Sequence, residues 1–166
     1  MSLLLAAVGA IVAGLLELTI GSYVRIGDAQ PHFVLVLGVI WTVAAGLDAG
    51  LAWAFAGGLL LDILAPRPLG SSAFALLVSL SVASAASRPL QRLRPLVPIA
   101  LVPVLSLVNS MLLLVAFGAL RSPIPAPDPV GALAPSVIYD TVLAVLLGPL
   151  VVSLHDRATD QERVTW

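Results

Sequence analysis

Four carboxylates stand inside otherwise apolar stretches of this chain: Glu17, Asp48, Asp62 and Asp140. An acid so placed can hold a proton, bind a cation or accept hydrogen bonds from a helix terminus. At the centre of a membrane-spanning helix it costs about 2.5–3.5 kcal/mol on insertion scales, so each one needs a physical reason. Asp140 lies between Tyr139 and Thr141, whose hydroxyls can serve it. It stands roughly ten residues into the last apolar run, about 15 Å deep if a helix begins near Val130, and is assigned to the bundle interior. Glu17 and Asp62 fall near the ends of their runs, and two readings stand for them. Either they converge with Asp140 on a polar pocket open to the outside, or they reach interfacial water beside Arg25 or Arg67. Asp48, closely flanked by Gly46 and Gly50, reads as a turn residue.

Other chemistry is sparse. The chain has no cysteine, which excludes disulfides and thiolate metal sites. His32 and His155 belong to different membrane edges and show no metal-ligand spacing. Neither a G-x-S-x-G elbow nor a G-x-x-x-x-G-K-[ST] phosphate loop occurs, and no catalytic constellation or cofactor emerges. A formal net charge of −1 argues against nucleic acid, which needs a clustered basic surface. Asn109 reads as an interhelical hydrogen-bond donor.

The elements that must position these residues follow from composition. Of 166 residues, 60% are hydrophobic and 10% charged, with a mean hydropathy of +1.09. Soluble domains carry roughly 25% charged residues, so this chain has too little polar surface to cover a globule in water. The apolar runs are continuous rather than alternating, which selects helices over a barrel. Six spans are expected in one integral membrane domain covering 1–166, at about 3–20, 31–47, 49–65, 69–87, 96–120 and 130–154. Leu3 to Ile20 is read as a retained first span, since the first basic residue is Arg25 and no signal-peptide n-region precedes it. Pro103 is expected to kink the fifth span. Arg121 to Pro129, with four prolines, is expected to be extended and stiff, and a charged tail runs from His155 to Trp166. Arg88, Arg92, Arg94, Arg157 and Arg163 on one side outnumber Arg25, Arg67 and Arg121 on the other. That bias places both termini in the cytoplasm.

Ala6, Ala10 and Gly14 recur four apart and so share one helical face. Small residues at that spacing let a second helix approach closely, within the bundle or from a partner. The stretch from Gly57 to Phe74, GGLLLDILAPRPLGSSAF, resembles the signature of the bacterial rod shape-determining protein MreD family, mainly through Gly58, Asp62, Pro68 and Gly70. The run from Pro135 through Tyr139 and Asp140 to Leu154 resembles that family's last span. Independently of the resemblance, Asp62 is suited to accept hydrogen bonds from the amides that open the next helix. Pro68 fixes the backbone there, and Gly70 is expected to permit close packing.

The resemblance implies a non-enzymatic scaffold of the bacterial elongation machinery in the cytoplasmic (inner) membrane. It implies binding to MreC through its transmembrane span, and indirect links to MreB and the peptidoglycan synthases. It also implies an all-α, six-helix fold similar to the S-components of energy-coupling-factor transporters. Two alternatives stand beside it: an S-component that captures a vitamin or metal, and a proton or ion carrier using Glu17 and Asp140.

Overall fold

The computed structural model describes residues 2–24, 29–89, 94, 96–120, 122, 131 and 133–164. Arg25, Asp28, Arg92 and nearly all of the proline-rich connector lie outside them, as do the side chains of the charged tail. Among the described residues, six helices make the fold: α1 (Ser2–Tyr23), α2 (Phe33–Ala45), α3 (Leu47–Leu64), α4 (Ser71–Ser87), α5 (Val97–Ala119) and α6 (Leu133–Val164). A helix satisfies its backbone internally, which is what a lipid solvent requires of these apolar runs.

Among the described residues, four helices carry segments long and apolar enough to cross a membrane: Leu3–Gly21, Leu47–Leu64, Val97–Ala119 and Leu133–Ser153. Large apolar side chains such as Leu4, Val115 and Leu146 point outward from them. In water such a surface would be a liability, whereas lipid solvates it. Together these helices fit a multi-pass membrane protein. α5 contains Pro103 in its interior, and α6 contains Pro149, which the sequence reading passed over. α6 also runs on as one helix of 32 residues instead of ending near Leu154.

The other two helices are shorter than their expected spans. α2 has 13 residues, rising about 20 Å at ~1.5 Å per residue, against roughly 30 Å of hydrocarbon. α4 has 17 residues. Both begin two residues later than expected, since Pro31 and His32 precede α2 and a turn at Pro68–Gly70 precedes α4.

α2 is nevertheless the centre of the bundle. It packs on every other helix, and nine of its residues are buried, from Val34 to Ala44. Burial among the other helices suits a helix that is apolar on all faces. Close approach to it depends on small residues: a Cβ on Gly50 would collide with Thr42, and one on Gly38 with Trp53 and Leu80. α2 gives way to α3 at Gly46, whose φ of +94° favours glycine. The break is this one residue, so Asp48 is not in the turn but exposed in the first turn of α3. A carboxylate is favourable there because the helix amino end carries partial positive charge.

Candidate functional site

Consecutive helices run antiparallel, so the ends of α1 and α3 meet the beginnings of α2, α4 and α6 at one end of the bundle. The buried acids collect there. Glu17 and Asp62 are each 3% exposed and Asp140 is fully buried. Burial keeps all three from open water, which corrects that part of the reading for Glu17 and Asp62, whereas the place beside Arg67 holds for Glu17.

Each acid meets the amino end of a helix. Asp62, in the last turn of α3, accepts the backbone N–H of Gly70 at 2.9 Å, of Ser72 at 3.0 Å and of Ala73 at 3.4 Å. The N–H of Ser71 donates to Pro68 O at 3.1 Å. The Ser71 hydroxyl also donates to Pro68 O, at 2.7 Å, with Asp62 Oδ1 3.3 Å away. All four N–H groups that α4 leaves without an intrahelical acceptor are thereby paired.

The turn from Pro68 to Ser71 places Gly70 at φ +88°, ψ −11°, the third position of a type II turn, which requires positive φ. A Cβ on Gly70 would meet nothing within 4 Å, so close packing is not its role. That role belongs to Gly58, where a Cβ would lie 2.3 Å from Ala73 Cα and 2.6 Å from Ala73 N. Gly58 lets α3 touch the backbone of α4, and the contact brings Asp62, one turn later, within reach of α4's amides.

The amino end of α2 is capped from elsewhere in the chain. Asp140 Oδ1 accepts the His32 N–H at 2.8 Å, its Oδ2 lies 2.9 Å from His32 Nδ1, and Ser106 Oγ donates to the same oxygen at 2.5 Å. Glu17 Oε2 accepts the Val34 N–H at 3.0 Å, and its Oε1 lies 4.0 Å from Arg67 Nη2. Arg67 Nη1 donates to Ser72 Oγ at 3.1 Å, which joins this cluster to the α3–α4 turn. Residues of all six helices or their flanking turns therefore contribute to one polar network.

At its centre, Glu17, His32, Arg67, Ser72 and Asn109 share the wall of a cavity of about 10 Å³, room for a single water. Asn109 Oδ1, the acceptor of that side chain, is buried there without a hydrogen-bond partner. No group of three or more His, Asp or Glu residues suited to a metal ion occurs among the described residues. The network can order helix ends and hold charge in the bundle, whereas an open pocket for a sizeable ligand is not what these side chains form.

Tyr139 does not serve Asp140 despite being its neighbour, since its hydroxyl donates to Val24 O at 3.1 Å, tying α6 to the end of α1. Thr141 likewise donates to Val137 O within its own helix. Sequence reading missed His32 and Ser106 as the partners of Asp140. Pro31-His32 just before an apolar run was a usable signal for a helix cap, but nothing local links it to position 140. The Ala6, Ala10 and Gly14 face turns into the bundle: both alanines are fully buried, Ala10 packs at Gly57, and a Cβ on Gly14 would collide with Leu60. α3 occupies that face.

At the opposite end of the bundle, Arg94 closes α2, donating from Nε to Val43 O at 3.1 Å and from Nη2 to Ala44 O at 2.5 Å. The buried central helix thus has acids at its amino end and a guanidinium at its carboxyl end, each matching the sign of the helix dipole.

Among known proteins, no curated relative and no solved structure matches this chain. The family model of the rod shape-determining protein MreD matches residues 1–157, nearly the whole chain. The chain therefore belongs to the MreD family of rod shape-determining membrane proteins.

Proposed function

We propose that this protein is a non-enzymatic scaffold of the bacterial elongation (rod) complex, a single integral membrane domain over 1–166 that binds the transmembrane span of MreC. Through that contact it would help control lateral peptidoglycan synthesis and so cell shape, with MreB and the peptidoglycan synthases as indirect partners. The observation that carries this reading is the match to the shape-determining family across residues 1–157.

The internal chemistry agrees with a scaffold. Glu17, Asp62 and Asp140 all bond to helix amino ends and hold the bundle in one arrangement. A rigid bundle with apolar outer faces can receive another helix by van der Waals packing, which drives helix association where lipid removes the hydrophobic term. The S-component alternative loses the support of the Ala6, Ala10 and Gly14 stripe, since α3 covers it. In this proposal the protein lies in the cytoplasmic membrane with both termini inside, and a reporter fused after Trp166 would read as cytoplasmic.

The test is co-purification in mild detergent with MreC from the same cell, alongside an MreC whose span is replaced by an unrelated apolar helix. Recovery of native MreC and loss of the chimera supports the scaffold reading. Failure to recover native MreC, or equal recovery of both, overturns it.

A further inference from the structure

The end of the bundle remote from the acids carries a second feature, which the capping network does not use. A crevice of about 370 Å³ opens beside the carboxyl end of α2, lined by Thr42, Ser84, Ser87, Arg88 and Arg94 together with the backbone turn at Ala44–Leu47. Its volume falls in the range of small-molecule sites, about 300–1,000 Å³.

The charge on its wall has one sign. Arg88 and Arg94 both line it, and no carboxylate occurs among its described lining residues. Arg94 is fixed in place by its bonds to Val43 O and Ala44 O, and this pairing offsets the negative end of the α2 dipole that would otherwise repel an anion. Arg88 is exposed in the turn that follows α4. Ser84 is buried in the crevice wall, and the Ser87 hydroxyl donates to Ser84 O. The planar, multi-donor guanidinium fork of an arginine suits the tetrahedral oxygens of a phosphate.

The surroundings favour a lipid as the source of that phosphate. Leu47 lines the crevice, and Val82 on α4 and Leu96 before α5 are exposed nearby along the chain. A headgroup seated between the arginines would leave its acyl chains to run along apolar helix surface. Basic pockets at the membrane edge recognise anionic headgroups through this combination.

We propose that the crevice at the α2–α3 turn binds the phosphate headgroup of an anionic membrane lipid, held chiefly by Arg88 and Arg94. The inference is independent of the MreC contact and stands or falls separately from it. The full chain in neutral detergent is titrated with short-chain phosphatidylglycerol, short-chain phosphatidylcholine or inorganic phosphate while thermal unfolding is followed. Native mass spectrometry counts the lipids retained.

Phosphatidylglycerol should raise the melting temperature of the wild type more than phosphatidylcholine does. Arg88→Gln should move the titration midpoint to about tenfold higher concentration, as expected for loss of one charged hydrogen-bonding group. Arg88→Lys should recover part of the response. Arg88 is chosen because it is exposed, whereas Arg94 also closes α2. Equal titrations for wild type and Arg88→Gln, or equal retention of phosphatidylglycerol by both, would overturn the site. Equal responses to the two lipids would do the same, and a full response to inorganic phosphate alone would overturn the lipid assignment.

Discussion

The amino ends of α2 and α4 meet the same physical need by opposite routes. α4 is capped by Asp62, which stands 8 to 11 residues before the amides it accepts. α2 is capped by Glu17, 17 residues before Val34, and by Asp140, 108 residues after His32. The first cap closes a hairpin as soon as α3 and α4 exist. The second forms only when α1 and α6 have both packed against α2, so it reports on the whole bundle. An unpaired N–H in hydrocarbon costs several kcal/mol, which makes either carboxylate preferable to none despite its own insertion cost. A local cap thus specifies a turn, and a remote cap specifies which helices are neighbours.

The two routes separate most widely on removal of the acid. Asp140→Ala leaves the His32 N–H and imidazole and the Ser106 hydroxyl without their buried acceptor. It should destabilise the bundle by about 3–5 kcal/mol, since each buried donor left without an acceptor costs about 1–3 kcal/mol. Asp140→Asn keeps one acceptor oxygen and should cost less. Asp62→Ala should cost about 2 kcal/mol, the upper end for loss of a helix cap. Because the chain has no native cysteine, single cysteines can report accessibility without interference. Asp140→Ala should increase labelling in both α1 and α6, and Asp62→Ala only around the α3–α4 turn. Equal spread of labelling in the two variants would break the distinction between local and remote caps.

The same contrast decides what was legible in the sequence. Asp62, Pro68 and Gly70 lie within nine residues, and helix-end chemistry over that distance can be read directly as a carboxylate ahead of unpaired amides. Continuous apolar runs likewise reveal helices and lipid. The pairing of Asp140 with His32 has no local trace, because sequence separation says nothing about which of six helices become neighbours. Tyr139 and Thr141 looked like natural partners for Asp140, yet residues adjacent in a helix point about 100° apart and do not face one another. α2 appeared as a span of about 17 residues because composition registers apolarity alone. Its 13 helical residues depend on where tertiary bonds from Asp140 and Arg94 end the helix. Asn109 was visible as a polar residue in a span, but its place on the wall of a one-water cavity follows only from packing.

Within the α3–α4 corner, the comparison narrows to two glycines with different physical roles. Gly58→Ala puts a methyl group 2.3 Å from Ala73 Cα. Backbone cannot rotate aside as a side chain can, so α3 and α4 must separate, and Asp62 moves away from the amides it holds. The expected cost is about 1–3 kcal/mol, as for overpacking a tight core. In thermal unfolding it should be non-additive with Asp62→Ala, since both changes disturb the same contact.

Gly70→Ala meets no atom within 4 Å, and its burden is only the positive φ of +88°. That should cost about 1 kcal/mol, the price of placing an L side chain in the left-handed region. Gly70→Asn should be milder, because asparagine tolerates that region better than alanine. The ordering of Ala above Asn in cost is specific to backbone conformation, since a steric origin would make the larger asparagine worse. Thermal melts of the two variants in one detergent decide between them: if Gly70→Asn is the more damaging, the turn is crowded and Gly70 acts as Gly58 does.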